Sequence, residues 1–326
     1  MIKEEFGIEI EPLTPVFVWS GETLYSNADF RLVNGKIIVI DPYKALGKVK
    51  DLKEAFKEDF AREIQGVKLV FQSNTLPNTI LMINEYLIPA STVKGLIRTA
   101  ILNKLADKAV YEKVNENLNQ LNALNFKQAV RNVKNVAHPV EMLLKRQLER
   151  YTYDSLSKLL VSDPKAIGIS LSLKKVLVLE TVGQFKSETY VIALEKGKLV
   201  YDGKILQPKN YGVYSDLRQL DSKITKSFIL DSLKEYSKLI LEREKKKVGK
   251  LTKYSEFLNS LKVEGNCIPL KIGMFTGHIA KTISLPPNVE KVRESIMTKL
   301  TGHLWDNRTV KLIDDLGVGW VRLCIR

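Results

Sequence analysis

Residues 88–102 read Ile88-Pro89-Ala90-Ser91-Thr92-Val93-Lys94-Gly95-Leu96-Ile97-Arg98-Thr99-Ala100-Ile101-Leu102. The proline and the two hydroxyl residues are typical of a helix N-terminus, where the first backbone N–H groups lack a partner within the helix. Val93 and Ile97 recur at helical spacing and predict a face that packs on a core. Lys94 and Arg98 stand four residues apart, so we expect a basic edge that can bind phosphate beside the free N–H groups. An ordinary capped amphipathic helix has the same spacing.

The chain on either side of this stretch predicts further strands and helices. Asn34-Gly35 separates the β-branched runs 30–33 and 36–40 and indicates a hairpin, because both residues tolerate positive φ. Other strands are predicted at 6–10, 16–19, 80–83, 175–179, 190–194 and 198–201, and short helices at 43–64. The order of strands followed by helices is typical of ferredoxin-like or RNA-recognition-like domains, which are α+β folds.

The length of 326 residues exceeds that of a usual single domain and favours two domains. We place them at 1–162, with a helical insertion at about 103–153, and at 163–326, with a helical insertion at about 221–263. In the second insertion one stripe is apolar, and it consists of Ile229, Leu233, Tyr236 and Ile240. The charge run that follows, 243–250, is typical of a solvated face, although contact with RNA or another protein is an alternative.

The charge balance favours a polyanionic partner. There are 51 Lys and Arg against 37 Asp and Glu, which gives a formal net charge of +14. Such a surface attracts nucleic acid at long range. A lysine-rich solvated surface of the kind found in heat-adapted proteins would have a similar composition.

The sequence offers little that could bind a metal or cofactor. Its three histidines, His138, His278 and His303, are far apart and none has a second ligand at helix or turn spacing. Neither a phosphate-binding loop nor a dinucleotide fingerprint occurs, so we expect no cofactor. Cys267 and Cys324 are too few for a disulfide framework and form no Cys-x-x-Cys pair, which favours a reducing cytoplasm. The acidic start and the lack of a long apolar run predict neither export nor a membrane span.

Several segments resemble the ordered signatures of one family. Residues 88–102 resemble the signature helix of the RAMP proteins, the RNA-recognition-like subunits of type III CRISPR effector complexes. The other segments that resemble family signatures are 13–22, 29–42, 160–163, the glycine-rich loop 272–282, and 316–323. Phe17-Val18-Trp19 stands where the family usually has His-Ile-Gly, Ala90-Ser91-Thr92 replaces Gly-Ser-Ser, and the loop has only Gly273 and Gly277.

The order of these segments resembles that of the Csm-complex subunit that caps the guide-RNA filament near the guide's 3′ end. The resemblance implies two RAMP domains and a non-catalytic, guide (crRNA)-binding role. It also implies docking on the backbone RAMP subunits and indirect contact with target RNA. The enzyme alternative is a metal-independent, guide-processing RAMP endoribonuclease, and an RNA-free interaction scaffold fits the charge less well.

Single-stranded RNA is held by cations for its phosphates and by rings or closely approachable backbone for its bases. The residues that we predict to bind RNA on this basis are Trp19, Ser91, Thr92, Lys94, Arg98, Gly273, Phe275, Gly277 and Lys281. Trp19 and Phe275 could equally be core residues. Trp320 we assign to the core of the last strand.

Two residues are weak catalytic candidates. His278 lies in the glycine-rich loop three residues before Lys281, and a His–Lys pair could deprotonate a 2′-hydroxyl and neutralise the phosphorane. Asp29 falls roughly where the target-cleaving backbone RAMP subunits carry an aspartate in a loop. A structural role in the loop or turn is the alternative for each.

Overall fold

The computed structural model is built around a ten-stranded sheet. It describes residues 1–41, 57, 67–149, 152–180, 185–207, 215–248, 251–278, 280–301 and 309–326. The strands are β1 (Ile2–Pro12), β2 (Trp19–Tyr25), β3 (Phe30–Val33), β4 (Lys36–Ile40), β5 (Val67–Gln72), β6 (Thr79–Ile83), β7 (Lys145–Gln147), β8 (Thr152–Asp154), β9 (Leu159–Val161), β10 (Lys165–Glu180), β11 (Phe185–Leu206), β12 (Cys267–Lys271), β13 (Thr309–Ile313), β14 (Leu316–Gly317) and β15 (Trp320–Ile325). The helices are α1 (Ala90–Leu105), α2 (Lys108–Ala123), α3 (Phe126–Asn132), α4 (His138–Glu141), α5 (Ser215–Ser222), α6 (Lys226–Val248), α7 (Thr252–Ser260) and α8 (Pro287–Thr301).

The large sheet has the order β12-β15-β1-β11-β10-β13-β14, with β6 and β9 also paired to β11 and with β2 paired to β6. Strands β3, β4 and β5 form a second sheet, and β7 pairs with β8. This mixture of helices and strands confirms the predicted α+β class. Strand β1 lies between β11 and β15, so hydrogen bonds cross the predicted boundary at residue 162. The division at that residue stays a prediction.

The predicted hairpin at Asn34-Gly35 is confirmed, because both residues have positive φ, at 49° and 73°, between β3 and β4. The separate strands predicted at 190–194 and 198–201 are wrong, because both belong to the single strand β11. Between them, Gly197 takes a φ of 117° opposite a register shift in β10, so the pairing is irregular there while β11 continues. The helices predicted at 43–64 lie outside the described residues, apart from residue 57.

The apolar faces predicted for two helices are confirmed. Helix α1 buries Val93 and Ile97, and α6 buries the whole stripe from Ile229 to Ile240. The two helices pack against each other. As a result, the N-terminus of α1 is held at a fixed position relative to the second half of the chain.

Cys267 and Cys324 form a disulfide, a pairing that their sequence spacing does not predict. The inference from these cysteines to a reducing compartment is therefore wrong. The two cysteines lie directly opposite each other on the antiparallel strands β12 and β15. The backbone N–H and C=O of Cys267 both bond to Glu264, so the cysteines form a non-hydrogen-bonded pair, in which side chains come closest. The sheet register therefore brings the two sulfur atoms together.

Candidate nucleic-acid interface

Thr14, near the start of the sequence, is hydrogen-bonded to residues near its end. Its Oγ1 donates to the Gly317 carbonyl at 2.8 Å and accepts from the Trp320 amide at 3.0 Å. The amide of Thr14 also donates to the Trp320 carbonyl, at 3.1 Å. The Leu13 amide also donates to the Trp320 carbonyl at 2.8 Å, and the Gly319 amide donates to the Pro15 carbonyl at 3.0 Å. Segments 13–22 and 316–323, which resemble family signatures, are thus joined at this junction by five hydrogen bonds.

The glycine-rich loop packs on the same junction. The Met274 amide donates to the Phe17 carbonyl at 2.6 Å, and the Ile272 amide donates to the Gly319 carbonyl at 2.8 Å. A Cβ on Gly273, whose φ is 98°, would lie only 2.4 Å from the Phe17 carbonyl oxygen. Only glycine fits at that position, because both the positive φ and the close approach exclude a side chain.

A cleft of about 390 Å³ opens between β2, helix α1 and the glycine-rich loop. Its wall is made from three segments that are distant in sequence. The lining residues are Val18, Trp19, Thr92, Gly95, Leu96, Thr99, Lys271, Ile272, Gly273, Met274, Thr276, Ala280 and Lys281. The fold therefore collects three of the segments that resemble family signatures at one site.

Four of the predicted RNA-binding residues line this cleft: Trp19, Thr92, Gly273 and Lys281. Trp19 is 44% exposed, and its Nε1 donates to the Glu22 carbonyl at 2.9 Å. Of its two predicted alternatives, core or surface, Trp19 takes the surface. Burial lowers the pKa of Lys281 below its usual range. A cation and an indole ring can together hold a phosphate and a base.

Three other predicted residues lie away from the cleft wall. Phe275 packs on the core, and its ring stacks on Phe17 with centroids 5.9 Å apart. Gly277 has a φ of 81° with open space where a Cβ would be. Ser91 is exposed in the first turn of α1, which begins after Pro89 with no side-chain cap.

The basic edge of α1 faces the helical insertion. The Arg98 guanidinium donates to the carboxylates of Asp154 and Glu141, each at 2.7 Å. Burial lowers the pKa of Lys94, with Asp154 acting in the opposite direction and Arg98 in the same direction. These contacts give Arg98 a structural role between α1 and the insertion. Its contact with phosphate stays a prediction.

A buried polar network below the cleft is not predicted by the sequence. Lys271 and Glu244, which are 4% and 3% exposed, form an ion pair at 3.2 Å. The Tyr254 hydroxyl donates to Glu244 at 2.7 Å and accepts from the Trp320 indole at 2.9 Å. Burial alone would raise the pKa of Glu244, but Lys271 and Tyr254 together hold it below its usual value. Trp320 is fully buried, as predicted.

One signal for this network is present in the sequence. Glu244 follows Ile240 by four residues, so it continues the buried stripe of α6 into the charge run 243–250. The run is therefore not solvated throughout. A carboxylate on an apolar stripe predicts a buried cation as its partner, although the sequence does not identify Lys271 as that cation.

The comparison with family models identifies the chain. The model of the RAMP superfamily matches residues 9–276. The chain belongs to the RAMP superfamily. A search of the curated proteins finds no significant match.

Solved structures show that this RAMP chain shares its fold with two chains of similar length. One comes from the "Cryo-EM structure of Csm-crRNA-target RNA ternary complex in type III-A CRISPR-Cas system", with a TM-score of 0.69, 19% identity, and coverage of 98% of this chain and 100% of the other. Another is T. onnurineus Csm5, with a TM-score of 0.61, 17% identity, and coverage of 96% of this chain and 99% of the other.

His278 lies in a positively charged and largely buried part of the RAMP chain. Burial, followed by the charges of Arg293 and Arg243, lowers its pKa to about 4. Its Nε2 is 3.3 Å from the Thr282 hydroxyl, and the backbone carbonyl of His278 accepts from the same hydroxyl at 3.0 Å. The imidazole is therefore neutral at pH 7 and a weak base.

Asp29 closes the turn between β2 and β3. Its Oδ2 accepts from the Tyr25 amide at 2.8 Å, and its own amide donates to the Tyr25 carbonyl at 2.9 Å. The Ile40 amide donates to the Asp29 carbonyl at 3.0 Å. These bonds hold the carboxylate in a turn.

In the described part of this RAMP chain, no group of three or more His, Cys, Asp and Glu side chains could hold a metal ion. Of the helices in the same ranges, none is both long enough and apolar enough to cross a membrane. His303 lies outside the described residues.

Proposed function

We propose that this chain is the non-catalytic, guide-binding capping subunit of a Csm-type, type III CRISPR effector complex. Membership of the RAMP superfamily supports a place in such a complex. Further support comes from the shared fold with a chain of a Csm-crRNA-target RNA complex and with a Csm5 protein. The order of the family-like segments is that of the capping branch.

The observation that carries the proposal is the convergence of three such segments on one cleft. Trp19, from the first segment, supplies an exposed ring for stacking on a base. Lys281 supplies a cation for phosphate. Gly273 lets the glycine-rich loop pack on the Phe17 carbonyl, which positions this wall of the cleft. Thr92, in the first turn of α1, also lines the cleft. Lys94 lies on the edge of α1 near Asp154 and Arg98, and its contact with RNA stays a prediction.

The guide's 3′ region would occupy the cleft, and another face would dock on the last backbone RAMP subunit. Target RNA would reach this subunit only through its pairing with the guide. We place the protein in the cytoplasm with its guide RNA and the other subunits, a placement that does not rest on its cysteines, which are paired. The formal net charge of +14 suits a partner that is a polyanion.

The argument for a non-catalytic role is the environment of the two weak catalytic candidates, His278 and Asp29. Metal-independent cleavage of RNA needs a base whose pKa is near neutrality, and His278 has a pKa of about 4. The Asp29 carboxylate is engaged in a turn. Both environments favour a binding role over the alternative of a guide-processing endoribonuclease.

The test begins with RNA that copurifies with the protein from its native host. Sequencing should recover guides with a defined 5′ tag together with other RAMP subunits. Recovery of ribosomal RNA alone, without those subunits, would contradict the assignment.

Lys281→Ala and Trp19→Ala should each weaken binding of single-stranded RNA. Lys281→Ala should also make the binding constant less sensitive to salt: the salt slope, which is the slope of log K against log salt concentration, should fall in magnitude by about 0.7. Lys262→Ala, at an exposed lysine outside the cleft, is the matched control. If Lys281→Ala and Lys262→Ala bind RNA equally well, the cleft is not the guide site.

A further inference from the structure

The first helical insertion contains a second cavity, of about 220 Å³, between α2, the C-terminal end of α3 and the 3₁₀ turn that follows it. Four of its lining side chains are amides: Asn117, Gln120, Asn132 and Asn135. The rest of the lining is aliphatic. It shares no lining residue with the cleft beside the glycine-rich loop. Its volume is several times that needed by one water molecule, which leaves room for one planar base.

Two of the lining amides, Asn117 and Asn135, keep an acceptor oxygen, whereas Asn132 also donates to the Gln128 carbonyl at 2.8 Å. Asn117 donates through Nδ2 to the Asn135 carbonyl at 3.2 Å, which leaves its Oδ1 as an acceptor. Asn135 donates to the Oδ1 of Asn132 at 3.3 Å and likewise keeps its own Oδ1. Gln120 is exposed at the rim. An amide presents both donors and an acceptor, which are the groups needed to bond the edge of a base.

Helix α3 displays a ring and two cations beside this cavity. Phe126 begins the helix and is 56% exposed, and Asn132, which lines the cavity, ends it. Lys127 and Arg131 are exposed on the same seven-residue helix, four residues apart and therefore on one face. A solvent-exposed aromatic ring with neighbouring cations is the arrangement on which single-stranded nucleic acid stacks.

The charge of the insertion decides between nucleic acid and protein as the partner. From residue 117 to residue 140 the sequence contains no Asp or Glu. At the far end, Glu141 is paired with both Arg98 and Lys145 at 2.7 Å. A surface that faces another protein usually mixes both signs of charge. This surface exposes cations, amides, the Phe126 ring and two valines, Val130 and Val133, but no acidic side chain between residues 117 and 140. That chemistry is complementary to phosphates and bases.

We propose that the amide-lined cavity and helix α3 form a second binding site for single-stranded RNA, with one base in the cavity. Phe126 stacks on a neighbouring base, and Lys127 and Arg131 contact the phosphates. The site is separate from the cleft and depends on the proposed function only in taking RNA as its ligand. It lengthens the RNA track from the cleft onto the insertion.

Photo-crosslinking of the full-length protein to single-stranded RNA that carries 4-thiouridine tests the placement directly. Crosslinked peptides from residues 117–136 are expected, besides those from the cleft. Crosslinks confined to the segments around Trp19, α1 and the glycine-rich loop would overturn the proposal.

Affinity measurements with homopolymeric RNA test the role proposed for each side chain of the second site. Phe126→Ala should weaken binding about 5-fold or more, and Lys127→Ala with Arg131→Ala should lower the salt slope by about 1.4. Lys3→Ala with Lys262→Ala removes the same charge from exposed sites elsewhere and should leave affinity unchanged. Gln120→Ala with Asn135→Ala should flatten the preference among poly(A), poly(C) and poly(U).

Circular dichroism of each variant shows that the fold is kept. Two results would overturn the proposal: unchanged RNA binding in all folded insertion variants, or loss of binding to another RAMP subunit with RNA affinity intact. Trp19→Ala and Lys281→Ala, measured in parallel, separate this site from the cleft. If only the cleft variants lose RNA affinity, the second site fails while the proposed function stands.

Discussion

The Arg98 guanidinium lies 2.7 Å from the Asp154 carboxylate, so the basic edge of the signature helix is tied to the strand that follows the first insertion. Glu141, from helix α4 of the insertion, takes the second nitrogen of the same guanidinium. The side chain is largely covered, at 22% exposure. Arg98 therefore joins three elements, whereas sequence spacing alone predicts a phosphate contact.

We expect Arg98→Ala to lower the free energy of unfolding by about 1–2 kcal/mol, because it leaves two partly covered carboxylates without this partner. Lys94→Ala should instead lower the salt slope of RNA binding by about 0.7. Lys108→Ala, which removes an exposed pair with Glu112, is the control and should cost at most about 0.5 kcal/mol. Urea denaturation and RNA titration measure the two effects. If Arg98→Ala is as stable as the unaltered protein but has a reduced salt slope, Arg98 contacts RNA phosphate instead.

The glycine-rich loop offers a matched pair of substitutions. Gly273 and Gly277 both have positive φ, but only a Cβ on Gly273 meets backbone, 2.4 Å from Phe17. Gly277→Ala should cost about 1 kcal/mol of strain, and Gly273→Ala distinctly more, about 3 kcal/mol. Gly273→Ala should also weaken RNA binding, since the loop lines the cleft. Equal losses of stability in the two variants would argue against the close approach.

The buried pair below the cleft should respond strongly to the loss of one partner. Glu244→Gln leaves the Lys271 ammonium buried without a counter-charge and should cost about 3–5 kcal/mol. Glu242→Gln, at an exposed position on the same helix, should change stability by less than about 0.5 kcal/mol. Replacing both partners, as Lys271→Met with Glu244→Leu, should recover much of the loss. Chemical denaturation distinguishes these outcomes, and a single Glu244→Gln variant as stable as Glu242→Gln would contradict the pairing.

The disulfide should stabilise the folded protein, because it lowers the conformational entropy of the unfolded chain. Cys267 and Cys324 are 57 residues apart, a loop whose closure is worth about 4 kcal/mol in the chain-entropy description. We expect reduction, or Cys324→Ser, to lower the melting temperature. Thiol titration of the denatured, unreduced protein should find no free sulfhydryl. Two free thiols in protein from the native host, with stability unchanged by reductant, would mean that the bond does not form there.

The purified protein should not cleave repeat RNA at a specific site, with or without Mg²⁺. His278→Ala and Asp29→Ala should have little effect on target cleavage by a reconstituted complex. Single-turnover assays with labelled RNA measure both. A specific product that disappears in His278→Ala would favour the endoribonuclease, and loss of one target cut in Asp29→Ala would make the subunit a target-cleaving enzyme.

Local patterns in the sequence determined much of the fold. The hairpin at Asn34-Gly35 depends only on residues that tolerate positive φ, and the buried stripe of α6 depends only on helical spacing. The signature helix and the glycine-rich loop are likewise recognisable in the sequence, because their residue types are fixed by local backbone geometry. These features need no knowledge of distant parts of the chain.

Tertiary structure alone decided which distant groups meet. Trp19 and Lys281 come to one cleft because the segment before β2, residues 13–15, and the glycine-rich loop are both hydrogen-bonded to the segment around Trp320. The sequence gives Arg98 and Lys94 the same charge and the same face of the helix. Only the positions of Asp154 and Glu141 show that Arg98 forms ion pairs within the protein. The pairing of Cys267 with Cys324 follows from the register of two strands. Spacing along the chain cannot give such contacts, because they depend on how separate elements pack.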